Sequence, residues 1–219
     1  TAQFTESIST QKGQIKELFL YGLCVIGANL IQGIVILPLI LKMKKLSPLK
    51  VFKAMMPALI MAFFSKSSNG TLPLTIQCAQ NRLKLSEKTS KFSLPLCSVI
   101  NMNGCAAFIL ITVFFVSTSH GITFSLGQMI LWIFISTLAA VGNAGVPMGC
   151  FFLTSTFLVG MGVPLHTLGI ILPLYSLFDM VETMLNVWSD CSITTIVDYE
   201  VTAKKQSVNS ETFLPQAAN

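Results

Sequence analysis

The chain alternates long apolar runs with short polar or basic stretches. The first uncharged run covers residues 18–41, which is long enough to cross about 30 Å of hydrocarbon as a helix. Further along, residues 92–178 contain no Asp, Glu, Lys or Arg. Soluble domains carry roughly 25% charged residues, so this pattern predicts an integral membrane protein.

Two basic clusters orient the chain in the bilayer. They occupy residues 42–53 and 82–91, and the positive-inside rule places both in the cytoplasm. The segment between them must then enter and leave by one face, with arms of only about a dozen residues, too short to span. Its middle, residues 65–70, is polar and carries a charge. We therefore predict a re-entrant helical hairpin whose turn lines a protein cavity.

A broken helix and a second hairpin complete the predicted topology. Residues 92–116 could span, but the asparagines and glycine of residues 101–105 predict locally unwound backbone. Two further short apolar arms flank the turn at residues 142–149, which predicts a second hairpin entering from outside. Two short segments that are each interrupted by Gly or Pro, and that enter the membrane from opposite faces, are typical of secondary transporters. Two unrelated loops that both need turn residues would give the same pattern.

The predicted fold is an all-α integral membrane protein with two re-entrant hairpins and three spanning helices in an inverted repeat. The segments are a truncated lead-in (1–17), a first spanning helix (18–44), hairpin one (49–83), a broken spanning helix (90–118), hairpin two as a gate (128–165), a last spanning helix (167–203) and a cytoplasmic tail (204–219). Beyond Lys205 the chain is polar without periodicity, so we expect disorder there.

Composition excludes several classes of protein. The chain is 53% hydrophobic and 11% charged, with a net charge of +5. Its basic residues form clusters beside apolar runs instead of a patterned face, which argues against a nucleic-acid partner. The six cysteines are scattered singly without a C-x-x-C pair, so neither a disulfide scaffold nor a thiolate metal motif is indicated. The first 17 residues lack the pattern of a signal peptide.

Polar side chains share one face of the last helix. They follow a helical spacing and comprise Asp179, Glu182, Thr183, Asn186 and Asp190. Acids inside a membrane are costly and normally face a cavity, a counter-ion or a cation. We interpret the later acids, Asp198 and Glu200, as interfacial. Oxygen ligands of the kind offered by Asp190, Asn101 and Asn186 suit an alkali cation, and Na⁺ is the natural choice.

Four motifs stand in order along the chain. They are Ser65-Lys66-Ser67-Ser68-Asn69-Gly70-Thr71-Leu72-Pro73, Asn101-Met102-Asn103-Gly104, Ala144-Gly145-Val146-Pro147, and the helix from Asp179 through Glu182, Thr183, Asn186 and Val187 to Asp190. Together they resemble the dicarboxylate/amino acid:cation symporters, the glutamate-transporter family. The resemblance covers about residues 16–204 and implies the C-terminal half of such a protein, with most of its transport domain. It also implies a multi-pass protein of the plasma or inner membrane and homotrimers formed through a scaffold half outside this sequence.

The resemblance implies a role for each matching residue. The implied substrate-binding residues are Ser67, Ser68, Cys105, Val146, Asp179, Glu182, Thr183 and Asn186. Among them Ser68 and Asn186 would hold the α-carboxylate, Asp179 the amino group, and Val146 part of the outer gate. One Na⁺ would use Asn101, Asn186, Asp190 and the Cys97 carbonyl, and a second would use carbonyls of Val99, Met102, Ala140 and Asn143. Na⁺ would be a transported coupling ion, and no organic cofactor is implied.

Three departures from the family pattern bear on the substrate. Glu182 stands where acidic-substrate members have Arg, and Asn103 and Cys105 replace the motif Asp and Thr. A buried Glu would repel a side-chain carboxylate, so we predict a neutral or cationic amino acid. Lys66 could pair with Glu182 or Asp179 when substrate is absent, or contact only headgroups and water. Loss of the Asp charge at Asn103 could lower the Na⁺ stoichiometry or shift it toward protons, with Glu182 as the proton carrier.

The predicted function is Na⁺-coupled amino acid symport, and the alternative is a non-transporting remnant or one half of a split transporter. An enzyme is not predicted. An intramembrane aspartyl protease fails because Asp179 and Asp190 lie about 16 Å apart along one helix, whereas a catalytic dyad shares a proton. An ion channel remains a third possibility, although no carbonyl-filter motif is present.

Overall fold

A computed structural model describes the backbone of residues 2–143 and 145–212 and the side chains of residues 15–143 and 145–204. Helices form all the regular elements in this part of the chain, which confirms the all-α prediction. They are α1 (Ala2–Ile31), α2 (Leu37–Met43), α3 (Pro48–Ser65), α4 (Ser68–Asn81), α5 (Glu87–Ile100), α6 (Asn103–Ser119), α7 (Leu126–Gly142), α8 (Gly149–Gly160) and α9 (His166–Thr212). Ala144 of the third motif lies outside the described residues.

Four helical stretches are apolar and long enough to cross a membrane. They are Ile15–Met43, Pro48–Ser65, Glu87–Ser119 and His166–Lys204, while α7 and α8 are shorter. The expectation of arms of about a dozen residues is wrong for α3, which has 18 residues. The reason is that α3 begins at Pro48, a residue suited to the first turn of a helix, so the stretch with Lys50 and Lys53 belongs to the helix itself.

The first apolar stretch is one helix with a local irregularity. A π-helical segment, Gln32–Ile36, joins α1 to α2. Such segments loosen the regular backbone ladder, and here the Gly33 carbonyl accepts a hydrogen bond from Trp188 Nε1 at 3.0 Å. This bond ties the first apolar stretch to α9.

Two helices, α3 and α4, pack against each other as a pair, which we call the first pair. Lys66 ends α3 in a left-handed conformation with φ 53°. Ser67 then caps α4, because its Oγ accepts a hydrogen bond from the Gly70 N–H at 3.0 Å. The polar turn of the first motif is thereby a two-residue reversal between helices.

The helix break lies between α5 and α6. Asn101 and Met102 have φ of −102° and ψ of 65° and 50°, so neither continues the helix. Asparagine favours such positions because its side-chain amide competes for backbone hydrogen bonds. The break therefore falls within residues 101–105, where the sequence predicts unwound backbone.

The second pair consists of α7 and α8. Ser125 and Gln128 form a capping box that starts α7. In the reversal between the two helices, Gly145 and Met148 have φ of 78° and 55°. Val146 N–H donates to the Asn143 carbonyl and Gly149 N–H to the Val146 carbonyl, each at 3.0 Å, which tightens the turn.

The longest helix, α9, joins two apolar clusters. One lies among α1, α6, α8 and the start of α9, around Phe108, Tyr175 and Phe178. The other lies among α2, α3, α4 and the middle of α9, around Leu59 and Trp188. The helix continues to Thr212, so the expectation of disorder directly beyond Lys205 is wrong up to that residue. Residues 213–219 of the predicted tail, and residue 1 of the lead-in, lie outside the described part.

Candidate functional site

A cavity of about 290 Å³ lies where both reversals meet the helix break and α9. Seven predicted substrate-binding residues line it: Ser67, Ser68, Cys105, Val146, Asp179, Thr183 and Asn186. Glu182 does not line it. The fold thus gathers residues from five helices and two reversals around one space.

The first pair contributes the polar wall of the cavity. Lys66, Ser67, Ser68 and Asn69 all line it. The Lys66 ammonium donates a hydrogen bond to Ser176 Oγ at 3.1 Å, and among the described side chains it forms no ion pair. Its proposed pairing with Glu182 or Asp179 stays a prediction.

The reversal of the second pair lies directly against the first turn of α4, where the reversal of the first pair ends. A Cβ added at Gly145 would lie 2.8 Å from Asn69 Nδ2. Since Gly145 also has a positive φ, glycine is the residue that this contact and this backbone conformation both favour. Val146 is 55% exposed beside it. The two reversals together close one side of the cavity.

Helix α9 contributes the acid and the amides. Asp179, Thr183 and Asn186 face the cavity. Asn186 Oδ1 accepts a hydrogen bond from the Gly104 N–H at 2.8 Å, and its Nδ2 donates to Cys105 Sγ at 3.4 Å. The helix break thus holds the Asn186 amide in place, with its nitrogen on the cavity side.

Glu182 lies behind the cavity wall and is fully buried. Neither carboxyl oxygen has a hydrogen-bond partner among the described residues. A Cβ at Gly104 would lie 3.0 Å from the Glu182 Cα and carbonyl oxygen, so α6 and α9 approach closely here because Gly104 has no side chain. The role of Glu182 in binding substrate stays a prediction.

A second polar group surrounds Asp190, whose side chain is 3% exposed. Asn101 Nδ2 donates to Asp190 Oδ1 at 2.8 Å, and Ser189 Oγ donates to Asn101 Oδ1 at 3.3 Å. Asn103 Nδ2 donates to Ser189 Oγ at 3.0 Å. A buried carboxylate among neutral oxygen-bearing groups fits a hard cation. The predicted ligands Asn101 and Asp190 are therefore in contact, with Cys97 buried on the same side of α5.

The residues predicted for a second Na⁺ are less closely gathered. Met102 and Asn143 both line the cavity, and Ala140 is buried one turn before Asn143. Val99 is 45% exposed on α5 and is not among the lining residues. Of the residues predicted for this site, Met102 at the break and Ala140 and Asn143 at the end of α7 lie at the cavity or one helical turn from its lining, whereas Val99 does not line the cavity.

Sequence reasoning missed several residues of the site. Tyr175 and Cys150 line the cavity, and Asn29 lies buried against Gly104. Tyr175 precedes Asp179 by one helical turn, and Asn29 is an isolated amide in the first apolar run, so each carries a usable signal. Cys150 carries none, because a cysteine in an apolar stretch is an ordinary buried residue.

Comparison with known proteins identifies the family. Residues 1–200 match the profile of the sodium:dicarboxylate symporter family. The chain belongs to this family. Since its members are transporters, the chain is not an enzyme, and its apolar helices agree with a place in the membrane.

Individual relatives resemble the chain over most of its length. It is 32% identical over 185 residues to excitatory amino acid transporter 3 of Homo sapiens, which covers 84% of this chain and 35% of the relative. It is 29% identical over 181 residues to neutral amino acid transporter B(0) of Mus musculus, covering 80% of this chain and 33% of the relative. The chain thus spans about a third of the length of these relatives.

Proposed function

We propose that this chain provides the substrate and cation sites of a Na⁺-coupled amino acid symporter in the plasma or inner membrane. The two helix pairs would be re-entrant hairpins that enter from opposite faces, and the second would act as the gate. The complete protein would be a homotrimer assembled through its scaffold. Membership of a sodium-coupled family supports Na⁺ as the coupling ion.

The observation that carries this proposal is the shared cavity. Both reversals and α9 line it, and its walls offer Asp179 together with hydroxyl and amide groups. The partly buried Asp179 carboxylate suits an ammonium group, whereas hydroxyl and amide N–H donors suit a carboxylate. An α-amino acid presents both groups on adjacent atoms, so it matches this arrangement.

The charges around the cavity favour a neutral or cationic side chain. Of the described residues that line it, Lys66 and Asp179 are the charged ones, and this balance matches the zwitterion of an amino acid. Glu182 lies behind Cys105 and Cys150, with its carboxylate within 4.8 Å of their sulfurs. A second substrate carboxylate would meet this acid across a thin wall of low dielectric and be repelled.

The cation site would lie beside Asp190. Na⁺ would be held by Asp190, Asn101 and Asn186 with the Cys97 carbonyl, and a second Na⁺ by carbonyls around the end of α7. The Asn186 amide contacts Met102, which directly follows Asn101 in the break, and Asn186 also lines the cavity, so the break links the two sites. Binding at one site would therefore reduce the ordering needed at the other, which is positive coupling.

The test is thermal unfolding of the purified protein with amino acids and Na⁺. We expect a neutral or cationic amino acid to raise the melting temperature in Na⁺ but not in choline, because only the folded state binds both. Asp179→Asn should abolish the shift. Asp198→Asn is the matched control, since Asp198 accepts a hydrogen bond from Ser86 Oγ at 2.6 Å, far from the cavity.

Three results would each contradict part of the proposal. Stabilisation by aspartate above all other amino acids would overturn the substrate class. An unchanged shift in Asp179→Asn would overturn the assignment of the cavity. Uptake into proteoliposomes that depends on pH but not on Na⁺ would replace the Na⁺ coupling with proton coupling.

A further inference from the structure

Three potential metal ligands from three helices meet beside the cavity. They are Cys105 on α6, Cys150 on α8 and Glu182 on α9, and their donor atoms all lie within 4.8 Å of one another. We propose that they form a binding site for a thiophilic divalent cation, Zn²⁺ or its analogue Cd²⁺. This site is distinct from the proposed Na⁺ sites and goes beyond the proposed transport function.

Glu182 provides an observation independent of the thiols. Its side chain is fully buried, and both carboxyl oxygens lack a hydrogen-bond partner among the described residues. A buried carboxyl group without partners is costly, and this one lies beside two sulfurs that can also ligate a metal. A cation at this point would satisfy the carboxylate.

Each thiol has an amide donor beside it. Asn186 Nδ2 lies 3.4 Å from Cys105 Sγ, and Asn143 Nδ2 lies 3.5 Å from Cys150 Sγ. Hydrogen bonds to a charged acceptor are stronger than those to a neutral one, so these amides stabilise thiolates more than thiols. Partners of this kind orient metal ligands and raise their affinity.

The donor set selects the metal. Two sulfurs and one carboxylate suit Zn²⁺ or Cd²⁺, whereas Mg²⁺ and Ca²⁺ prefer oxygen ligands alone. A Zn–S bond of about 2.3 Å places two sulfurs on one ion at most about 4.6 Å apart, so small side-chain movements suffice. On binding, each thiol releases its proton to solvent, and the two thiolates and the carboxylate leave a fourth position for water from the cavity.

A bound metal would link the helices that carry the ligands. Cys150 belongs to the second pair, whereas Cys105 and Glu182 belong to helices outside it. The ion would therefore fix α8 to α6 and α9. It would also engage the amides of Asn143 and Asn186 through the sulfurs, so we expect it to compete with an amino acid in the cavity.

The experiment is a Cd²⁺ titration of the purified, reduced full chain, followed by the ultraviolet charge-transfer absorption of Cd²⁺–thiolate bonds. Cys105→Ala, Cys150→Ala and Glu182→Gln should each weaken binding at least tenfold, since even outer partners of metal ligands are worth about 10–100-fold. Cys78→Ala is the matched control for Cys150→Ala, because Cys78 is a thiol on α4 that is as buried as Cys150, and it should leave the titration unchanged.

Folding of each variant is checked by its melting temperature without metal. Glu182→Gln keeps the shape of the side chain, so it tests the site even where a cysteine variant unfolds. Unchanged Cd²⁺ affinity in Glu182→Gln, or an equal loss in Cys78→Ala, would overturn the proposal. The proposal would also be overturned if Cys105 and Cys150 formed a disulfide and the protein still failed to bind Cd²⁺ after that disulfide was reduced. The thermal-unfolding measurements with Na⁺ and amino acids contain no Cd²⁺. A failure of the proposed transport function would therefore be distinguished from a failure of the proposed metal site.

Discussion

The two helix pairs approach the same cavity but are supported differently. The first helix of the first pair, α3, buries five residues: Val51, Met55, Ala58, Leu59 and Ala62. The first helix of the second pair, α7, buries Ser136 and Ala140. The first pair packs extensively on α9, whereas the second packs mainly on α6. The first pair is therefore packed through its first helix, whereas the second pair is packed mainly through α8, which buries five residues, and leaves most of α7 exposed.

The reversals of the two pairs also differ in how the helix that follows is capped. In the first pair a side-chain cap from Ser67 holds the start of α4. In the second pair the N-cap residue of α8 is Met148, which has a positive φ and gives no side-chain cap. A non-glycine residue in the left-handed region stores roughly 1–2 kcal/mol of strain. Lys66 in the first reversal also has a positive φ, so the two reversals carry similar strain and differ in the cap. The uncapped second reversal is better suited to movement, which favours the second pair as the gate.

The largest expected difference between the pairs concerns packing. Leu59→Ala, in the middle of α3, should lower the free energy of unfolding by about 2–5 kcal/mol, because it leaves a cavity in a closed core. Leu138→Ala, at the corresponding place in α7, should change it by less than about 0.5 kcal/mol, since Leu138 is 74% exposed. Denaturant unfolding in one detergent measures both. Equal losses would show that the exposed face of α7 is packed as tightly as α3.

The contact between the two reversals gives the next largest effect. Gly145→Ala should weaken amino acid binding about 5–30-fold, because the added Cβ strains a positive φ by roughly 1–2 kcal/mol and meets Asn69. Gly142→Ala is the control, since a Cβ there meets nothing within 4 Å. Affinity is read from thermal shifts against amino acid concentration. Unaltered affinity in Gly145→Ala would mean that the two reversals separate when substrate is bound.

The smallest effect compares two helix caps. Ser67→Ala and Ser125→Ala each remove an N-cap and should each lower stability by about 1 kcal/mol. Only Ser67 lines the cavity, so only Ser67→Ala should also weaken the response to an amino acid. Melting temperatures with and without ligand separate the two effects. A ligand response that falls equally in both variants would remove Ser67 from the site.

Much of the site follows from local patterns in the sequence. The asparagines of residues 101–105 coincide with the helix break, and the spacing of Asp179, Thr183 and Asn186 places them on one face that does line the cavity. Local propensity and helical periodicity decide both features, so they need no knowledge of neighbouring helices. The sequence pattern underestimates the length of α3, because lysines can extend a helix as readily as they can end a membrane-embedded stretch.

Glu182 shows where such reasoning ends. It lies about 60° from Asp179 around the helix axis, at the edge of the polar face. Helix α9 has neighbours on several sides, so the edge of its polar face meets α6 at Gly104 instead of opening into the cavity. Periodicity gives a direction around one helix, but it does not give the helix that lies in that direction.

By itself the sequence determined the membrane class, the helices, the two interrupted segments and the acids and amides that bear the chemistry, because these depend on hydropathy and on residues close together along the chain. Tertiary structure alone decided that the two reversals touch, that Glu182 is buried without a partner, and that Cys105 and Cys150 meet beside it. These depend on how helices distant in sequence pack, and many packings satisfy the same apolar pattern.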